Sequence, residues 1–165
     1  MPNSHLLSLP ALAAGLMLCS PAQARNASAT MPVTALTVET CAVVALPMAF
    51  GTLNQLGGTA SDSQTNVTVT CTPGVSYNVG LDMGANAMGG VRRMAAALGG
   101  EAVPYALYTN ASRTNAWGNT VGTNTVAGTA SLLPSTLTVY GRVGGDAGLV
   151  PAGVYADLVT VTVTF

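Results

Sequence analysis

Residue types able to do chemistry are scarce in this chain of 165 residues, which has three cysteines, one histidine and no lysine. His5 and Cys19 fall in an N-terminal stretch that reads as a targeting segment. What remains is Cys41, Cys71 and the carboxylates Glu39, Asp62, Asp82, Glu101, Asp146 and Asp157. Without His or Lys there is no Ser-His-Asp or Cys-His arrangement, no Schiff-base amine and no His/Cys metal centre. Counting alone leaves room for a carboxylate pair of the glycoside-hydrolysing kind, but isolated acids are by default solvated surface groups. The expectation is a protein that is not an enzyme and holds no cofactor or metal. The chemistry left to the two cysteines is a bond to each other, and the compartment decides whether it forms.

Leu6 to Leu18 (LLSLPALAAGLML) is an apolar run too short to span a bilayer, and Ala22-Gln23-Ala24 is a small-residue cleavage site. Residues 1–24 are therefore expected to be a signal peptide, with the mature chain starting at Arg25. Leu18 before Cys19 is bulkier than a lipidated cysteine normally tolerates. Export places Cys41 and Cys71 in an oxidising compartment, where a disulfide is expected. It would close a loop of about 30 residues and contribute roughly 3–4 kcal/mol through the unfolded chain. An antibody-type domain spaces its cysteines about twice as far apart around a Trp, whereas Trp117 follows both.

The elements that must position this bond read as short strands between glycine-rich turns. Val67, Val69 and Cys71 alternate with Thr68, Thr70 and Thr72. Val75, Tyr77, Val79, Leu81 and Met83 keep the same period of two. Val103–Thr109, Leu137–Val143 and Val154–Phe165 are further candidates, with turns at Gly57-Gly58, Gly89-Gly90, Gly99-Gly100 and Gly144-Gly145. Arg92 to Leu98 (RRMAAAL) suits either a short helix or a strand. The sum is an all-β sandwich of about seven strands. The final segment, DLVTVTVTF, sets Val159, Val161, Val163 and Phe165 on one face and threonines on the other. Such an edge is an aggregation hazard unless something covers it. Charged residues are 7% of the chain and the net charge is −1, so neither nucleic acid nor an anionic membrane surface is an expected partner.

Ahead of Cys41 the chain reads RNASATMPVTALTVETC. Ala27, Ala29, Met31, Val33 and Ala35 are apolar at odd positions, and then the phase flips to Leu36 and Val38. A one-residue flip exchanges the faces of a strand. A bulged strand or an irregular leader would satisfy the pattern. Two strands end to end do so most economically: an arm over residues 25–35, roughly 36 Å if extended at about 3.3 Å per residue, and a first domain strand leading to Cys41.

Taken in order, several segments resemble the spore coat protein U domain family, which includes the pilus subunits of archaic, Csu-type chaperone-usher systems. They are Cys41, MAFGTLN (Met48–Asn54), VTVTCTPGVSYNVGLDMG (Val67–Gly84), Arg93-Met94 and VPYALYTN (Val103–Asn110). Ala116-Trp117-Gly118, VYGRV (Val139–Val143) and AGVYADLVTVTVTF (Ala152–Phe165) complete the set. The resemblance covers nearly all of residues 36–165.

It implies an incomplete immunoglobulin-like β-sandwich that lacks its last strand and is completed in trans by a donor strand. A periplasmic pilus chaperone would lend that strand first. At the outer-membrane usher, the arm of the next subunit would replace it, producing a head-to-tail polymer at the cell surface that serves adhesion and biofilm formation. On this reading Ala27, Ala29, Met31, Val33 and Ala35 are donor side chains. Val159, Val161, Val163 and Phe165 form one wall of the acceptor groove, and Leu36 and Val38 the other. Pro32 is tolerable only where its nitrogen faces away from a partner strand. With only the arm ahead of the domain, a shaft or adaptor subunit is expected rather than a tip subunit. Two other readings stand beside it. One is a secreted spore or cyst coat protein. The other is a carbohydrate- or surface-binding module using Trp117, Tyr105, Tyr108 and the stretch from Asn110 to Asn124.

Overall fold

A computed structural model describes residues 25–54, 56, 58–97, 99–145 and 150–165. The expected signal peptide, with His5 and Cys19, lies outside the described residues, as does Asp146. The chain divides into two units, Met1–Ala35 and Leu36–Phe165. Of the first, residues 25–35 are described, and they are exposed and belong to no strand.

The second unit is all-β, with every strand pairing antiparallel. Its strands are β1 (Cys41–Ala45), β2 (Ser61–Cys71), β3 (Ser76–Leu81), β4 (Arg92–Ala96) and β5 (Ala102–Tyr108). They continue with β6 (Val126–Thr129), β7 (Ser135–Val143), β8 (Tyr155–Ala156) and β9 (Val161–Thr164). One sheet has six strands in the order β1-β2-β7-β5-β4-β8, and the other has three in the order β6-β3-β9.

The period of two selects what is buried. Val67 and Val69 of β2, Tyr77, Val79 and Leu81 of β3, Val103 and Leu107 of β5, and Val139 and Val143 of β7 face one core. Burial of each large apolar side chain contributes about 1.5–3 kcal/mol. Trp117, 1% exposed, fills the centre and donates its indole N–H to the Val79 carbonyl at 2.9 Å. Of the ambiguous RRMAAAL segment, Arg92–Ala96 form strand β4. Its first residue, Arg92, is buried and donates to the carbonyls of Leu81 (2.9 Å), Asp82 (2.8 Å) and Trp117 (2.8 Å), which offset the loss of water around its charge. Gly89 and Gly90 both have positive φ (59° and 77°) and close a tight hairpin in which Met88 and Val91 exchange backbone hydrogen bonds.

Three sequence expectations are corrected. Nine strands form among the described residues rather than about seven. The expected single strand from Val154 to Phe165 is two: β8 pairs with β4 and β9 with β3, so the chain changes sheets between residues 156 and 161. The first domain strand begins at Cys41 rather than leading up to it. The Thr72 hydroxyl explains this, since it accepts from the Thr40 amide and donates to the Val38 carbonyl, both at 3.2 Å. A side chain thereby takes backbone groups that a ladder would have used.

Candidate functional site

The two sheets are unequal, and the short one ends at β9. β9 pairs with β3 from Asn78↔Thr164 to Leu81↔Val161. Beyond it, Asp82 N–H donates to the Thr160 carbonyl (3.0 Å), Thr160 N–H donates to Asp82 Oδ1 (2.9 Å), and Ala85 N–H donates to the Leu158 carbonyl (3.0 Å). Even-numbered residues therefore direct their backbone groups toward β3. Because direction alternates along an antiparallel strand, the N–H and C=O groups of Val159, Val161 and Val163 point to the opposite, open edge. Their side chains meanwhile turn inward, half-buried against the core. Phe165, at 55% exposure, stands at the end of the row.

β1 forms the facing flank, with Cα atoms of β1 and β9 coming within 8 Å. Cys41, Val43 and Ala45 lie opposite Cys71, Val69 and Val67 and share their inward face. The Cys41–Cys71 disulfide joins the first of these pairs. Val69 and Val67 are buried, yet Val43 remains 37% exposed and Ala45 is exposed as well. These inward-facing positions lack a covering layer.

Between the flanks runs an apolar cavity of ≈ 520 Å³, lined by Leu46, Met48, Val67, Leu81, Leu107, Val139, Val159 and Val161 among others. Its floor is shaped by residues 46–50, which leave the ladder and cross over the inner face of β2. The hydroxyls of Ser61, Ser63 and Thr65 hold this crossing by donating to the carbonyls of Phe50 (3.1 Å), Ala49 (2.6 Å) and Leu46 and Pro47 (3.1 Å each). That explains why the first half of β2 is polar on the face where its second half is valine. The crossing presses Met48 Sδ and the Phe50 ring onto Gly141, where any side chain would collide with them.

Two carboxylates brace the entrance to β9. Asp82 Oδ1 accepts from the amides of Gly84 and Thr160, both at 2.9 Å. Burial works to raise the Asp82 carboxyl, but the hydrogen bonds from Thr160 and Gly84, with the charge of Arg92, outweigh it and hold the carboxyl below its ordinary value. Asp157, which interrupts the apolar face of the terminal segment, sits in the passage between sheets. It accepts from Tyr105 Oη (2.7 Å) and from the backbone and side-chain N–H groups of Asn86 (3.1 and 3.0 Å). Burial, then the bond to Asp157, pushes the Tyr105 phenol well above its usual range.

Of the residues singled out in the sequence, the fold groups Val159, Val161 and Val163 along one edge. Leu36 and Val38 are on no strand and stand 90% and 71% exposed. Opposite β9 the structure places β1, with Val43 and Ala45 on its inward face; the sequence gives no sign of them because CAVVAL is an unbroken apolar run with no alternation to give it a phase. Ala27, Ala29, Met31, Val33 and Ala35 are all exposed. Trp117 and Tyr105, considered for a sugar-binding loop, are buried, and Tyr108 is half-buried. Their bulk served the core rather than a surface.

Comparison with known proteins agrees with this architecture. Residues 27–162 match the Spore Coat Protein U domain family. The chain is 34% identical over 170 residues to "Protein U" of Myxococcus xanthus, covering 93% of each protein. Among solved structures it is similar to a chain of the CsuC-CsuE chaperone-tip adhesion subunit pre-assembly complex from archaic chaperone-usher Csu pili of Acinetobacter baumannii. That likeness has a TM-score of 0.57 at 22% identity and covers 78% of this chain. The chain spans 40% of the length of that solved chain, and the likeness is one of fold. A family match running from the arm into β9, supported by a relative aligned over nearly its whole length, establishes that the chain belongs to the Spore Coat Protein U domain family.

Proposed function

We propose that this protein is an exported structural subunit whose domain is an immunoglobulin-like sandwich short of its last strand. Copies join when residues 25–35 of one are added to β9 of another. The observation carrying this reading is the open edge of β9, where the outward-pointing backbone groups of Val159, Val161 and Val163 run beside an uncovered apolar cavity. Strand addition satisfies the backbone groups and fills the cavity in one step, as in chaperone–pilin complementation. The arm offers Met31 and Val33 as its only large donors, between small alanines. The cavity is lined by Val159 and Val161 but not by Val163 or Phe165. The fitting register therefore sets Met31 opposite Val161 and Val33 opposite Val159, with Ala29 and Ala27 opposite Val163 and Phe165, and Ala35 opposite Asp157. Acceptor residues are then Val159, Val161, Val163 and Phe165 with Val43 and Ala45.

Because each arm enters a different copy, the contact is heterologous and propagates into a fibre. Before assembly the same edge needs a temporary occupant, and a periplasmic chaperone followed by an outer-membrane usher fits that requirement. The disulfide and the fold suit an extracytoplasmic subunit of a surface pilus acting in adhesion. Deleting residues 25–35 while retaining residues 1–24 is expected to give a folded subunit that forms no polymers; undiminished polymerisation would overturn the reading. The match to the Spore Coat Protein U domain family favours a second reading with the same joint, in which the polymer is a layer around a resting cell. Immunolocalisation separates the two: label along surface fibres supports the pilus, and a continuous shell supports the coat.

A further inference from the structure

We propose that Pro32 sets the direction in which the arm can add to β9, and so selects the arm of a second copy over the arm of the same chain. This rests on the donor-strand reading above. The strand registers define which end of the domain the arm leaves. β1 begins at Cys41, opposite Cys71 at the end of β2, and only residues 72–75 separate Cys71 from the start of β3. Asn78 near the start of β3 pairs with Thr164, so β9 also finishes at this end. The chain enters β1 at the same end of the domain at which β9 finishes.

An arm folding back onto its own domain from there would run toward β1 in the same sense as β9, a parallel addition. An arm arriving from a second copy docked at the far end would run antiparallel to β9. In both cases the odd, apolar residues of the arm face the cavity, but the two directions ask different residues for hydrogen bonds. In an antiparallel pair, residues directly opposite one another exchange both bonds and share a face. The outward groups of β9 belong to inward-facing Val159, Val161 and Val163, so antiparallel addition draws on inward-facing arm residues. In a parallel pair, each bonding residue lies opposite a residue whose own groups point away, and it shares that residue's face. Parallel addition therefore draws on outward-facing arm residues, and Pro32 is one of them.

Pro32 has no N–H to give. A chain inserted into its own groove leaves an outward-pointing carbonyl of β9 without its donor, whereas the arm of a second copy does not. In the register above, Pro32 lies opposite Thr160, whose N–H and C=O are both already bonded to Asp82. The proline that is awkward for a strand in general is harmless in the antiparallel direction and disfavours the one closed form that would end polymer growth.

The test uses the full chain exported to the periplasm and purified, with polymer and monomer resolved by gel filtration and arm protection read by thermolysin digestion. Pro32→Ala is expected to raise the share of closed, arm-protected, non-polymerising monomer about fivefold, the effect of restoring one backbone hydrogen bond. Pro32→Ala combined with Ala29→Pro moves the proline into the inward phase opposite Val163, and is expected to leave mainly closed monomer. Wild-type polymer yield with no protected monomer in Pro32→Ala, or normal polymer in the double variant, would overturn the proposal. The arm deletion serves as the control. If it polymerises, the donor-strand reading itself fails; if it does not while Pro32→Ala behaves as wild type, only the role of Pro32 falls.

Discussion

Asp82 joins the end of β3 to the entrance of β9 through a single oxygen, which accepts the amides of Gly84 and Thr160. Replacing it with Ala leaves both N–H groups without that acceptor and is expected to cost about 1–3 kcal/mol. Because the folded-state carboxyl lies below its unfolded value of 3.8, the stability it supplies is complete above that value. The contribution is lost as pH falls through the depressed folded value. Thermal melts should therefore show wild type losing stability below pH 3.8 and Asp82→Ala responding less over the same window. Equal acid responses would remove Asp82 from this role. At this scale the sequence was partly legible. Asp157 was visible as an interruption in an alternating face, but its partners Tyr105 and Asn86 lie far away along the chain. Trp117 gave no sign of its burial, since neither its neighbours nor its spacing distinguish a core anchor from an exposed ring.

At the scale of elements, β9 and β1 form the two flanks and were unequally legible. β9 advertises itself because valine and threonine alternate for several residues. β1 does not, since Cys41 to Leu46 is uniformly apolar, while the alternation of Leu36 and Val38 just ahead of it points to a strand that Thr72 prevents. Substitutions separate these flanks. Val161→Asp places a carboxylate against the apolar cavity, and Val43→Asp places one on the uncovered inward face of β1. On the proposed joint each would be covered by the donor strand, where an unpaired charge costs at least roughly a few kcal/mol. Each is expected to lower polymer yield more than about tenfold. Leu36→Asp and Val38→Asp should change it little. Polymer assayed by sedimentation checks the set, and a defect confined to Leu36→Asp and Val38→Asp would return the flank to the residues first expected. The passage of the chain from β8 to β9 was illegible for a further reason. Periodicity reports which face of a strand is buried but not which sheet the strand joins.

At the scale of the molecule, the all-β class, the disulfide and the family were legible because each depends on composition, compartment or an ordered set of short motifs. The division into six and three strands was not, because it depends on pairings between distant segments. The disulfide closes a separation of 30 residues, and its reduction is expected to lower stability by about 3–4 kcal/mol. Urea denaturation with and without reductant, followed by the fluorescence of Trp117, measures this. Coincident curves would mean that β1 is held by its ladder alone.

The same bond has a mechanical meaning in a fibre of the proposed kind. Tension drawn from a neighbour's arm enters at β9, passes to β3 through their shared ladder, and follows residues 75–72 back to Cys71. There the sulfur bridge hands it directly to Cys41 and on to the subunit's own arm. The covalent shortcut bypasses everything from residue 42 to residue 70, so the β1–β2 pairing and the crossing over β2 bear none of the pull. Under load, the β1 flank of the groove is shielded from the force that β9 passes to β3 and on to the other neighbour.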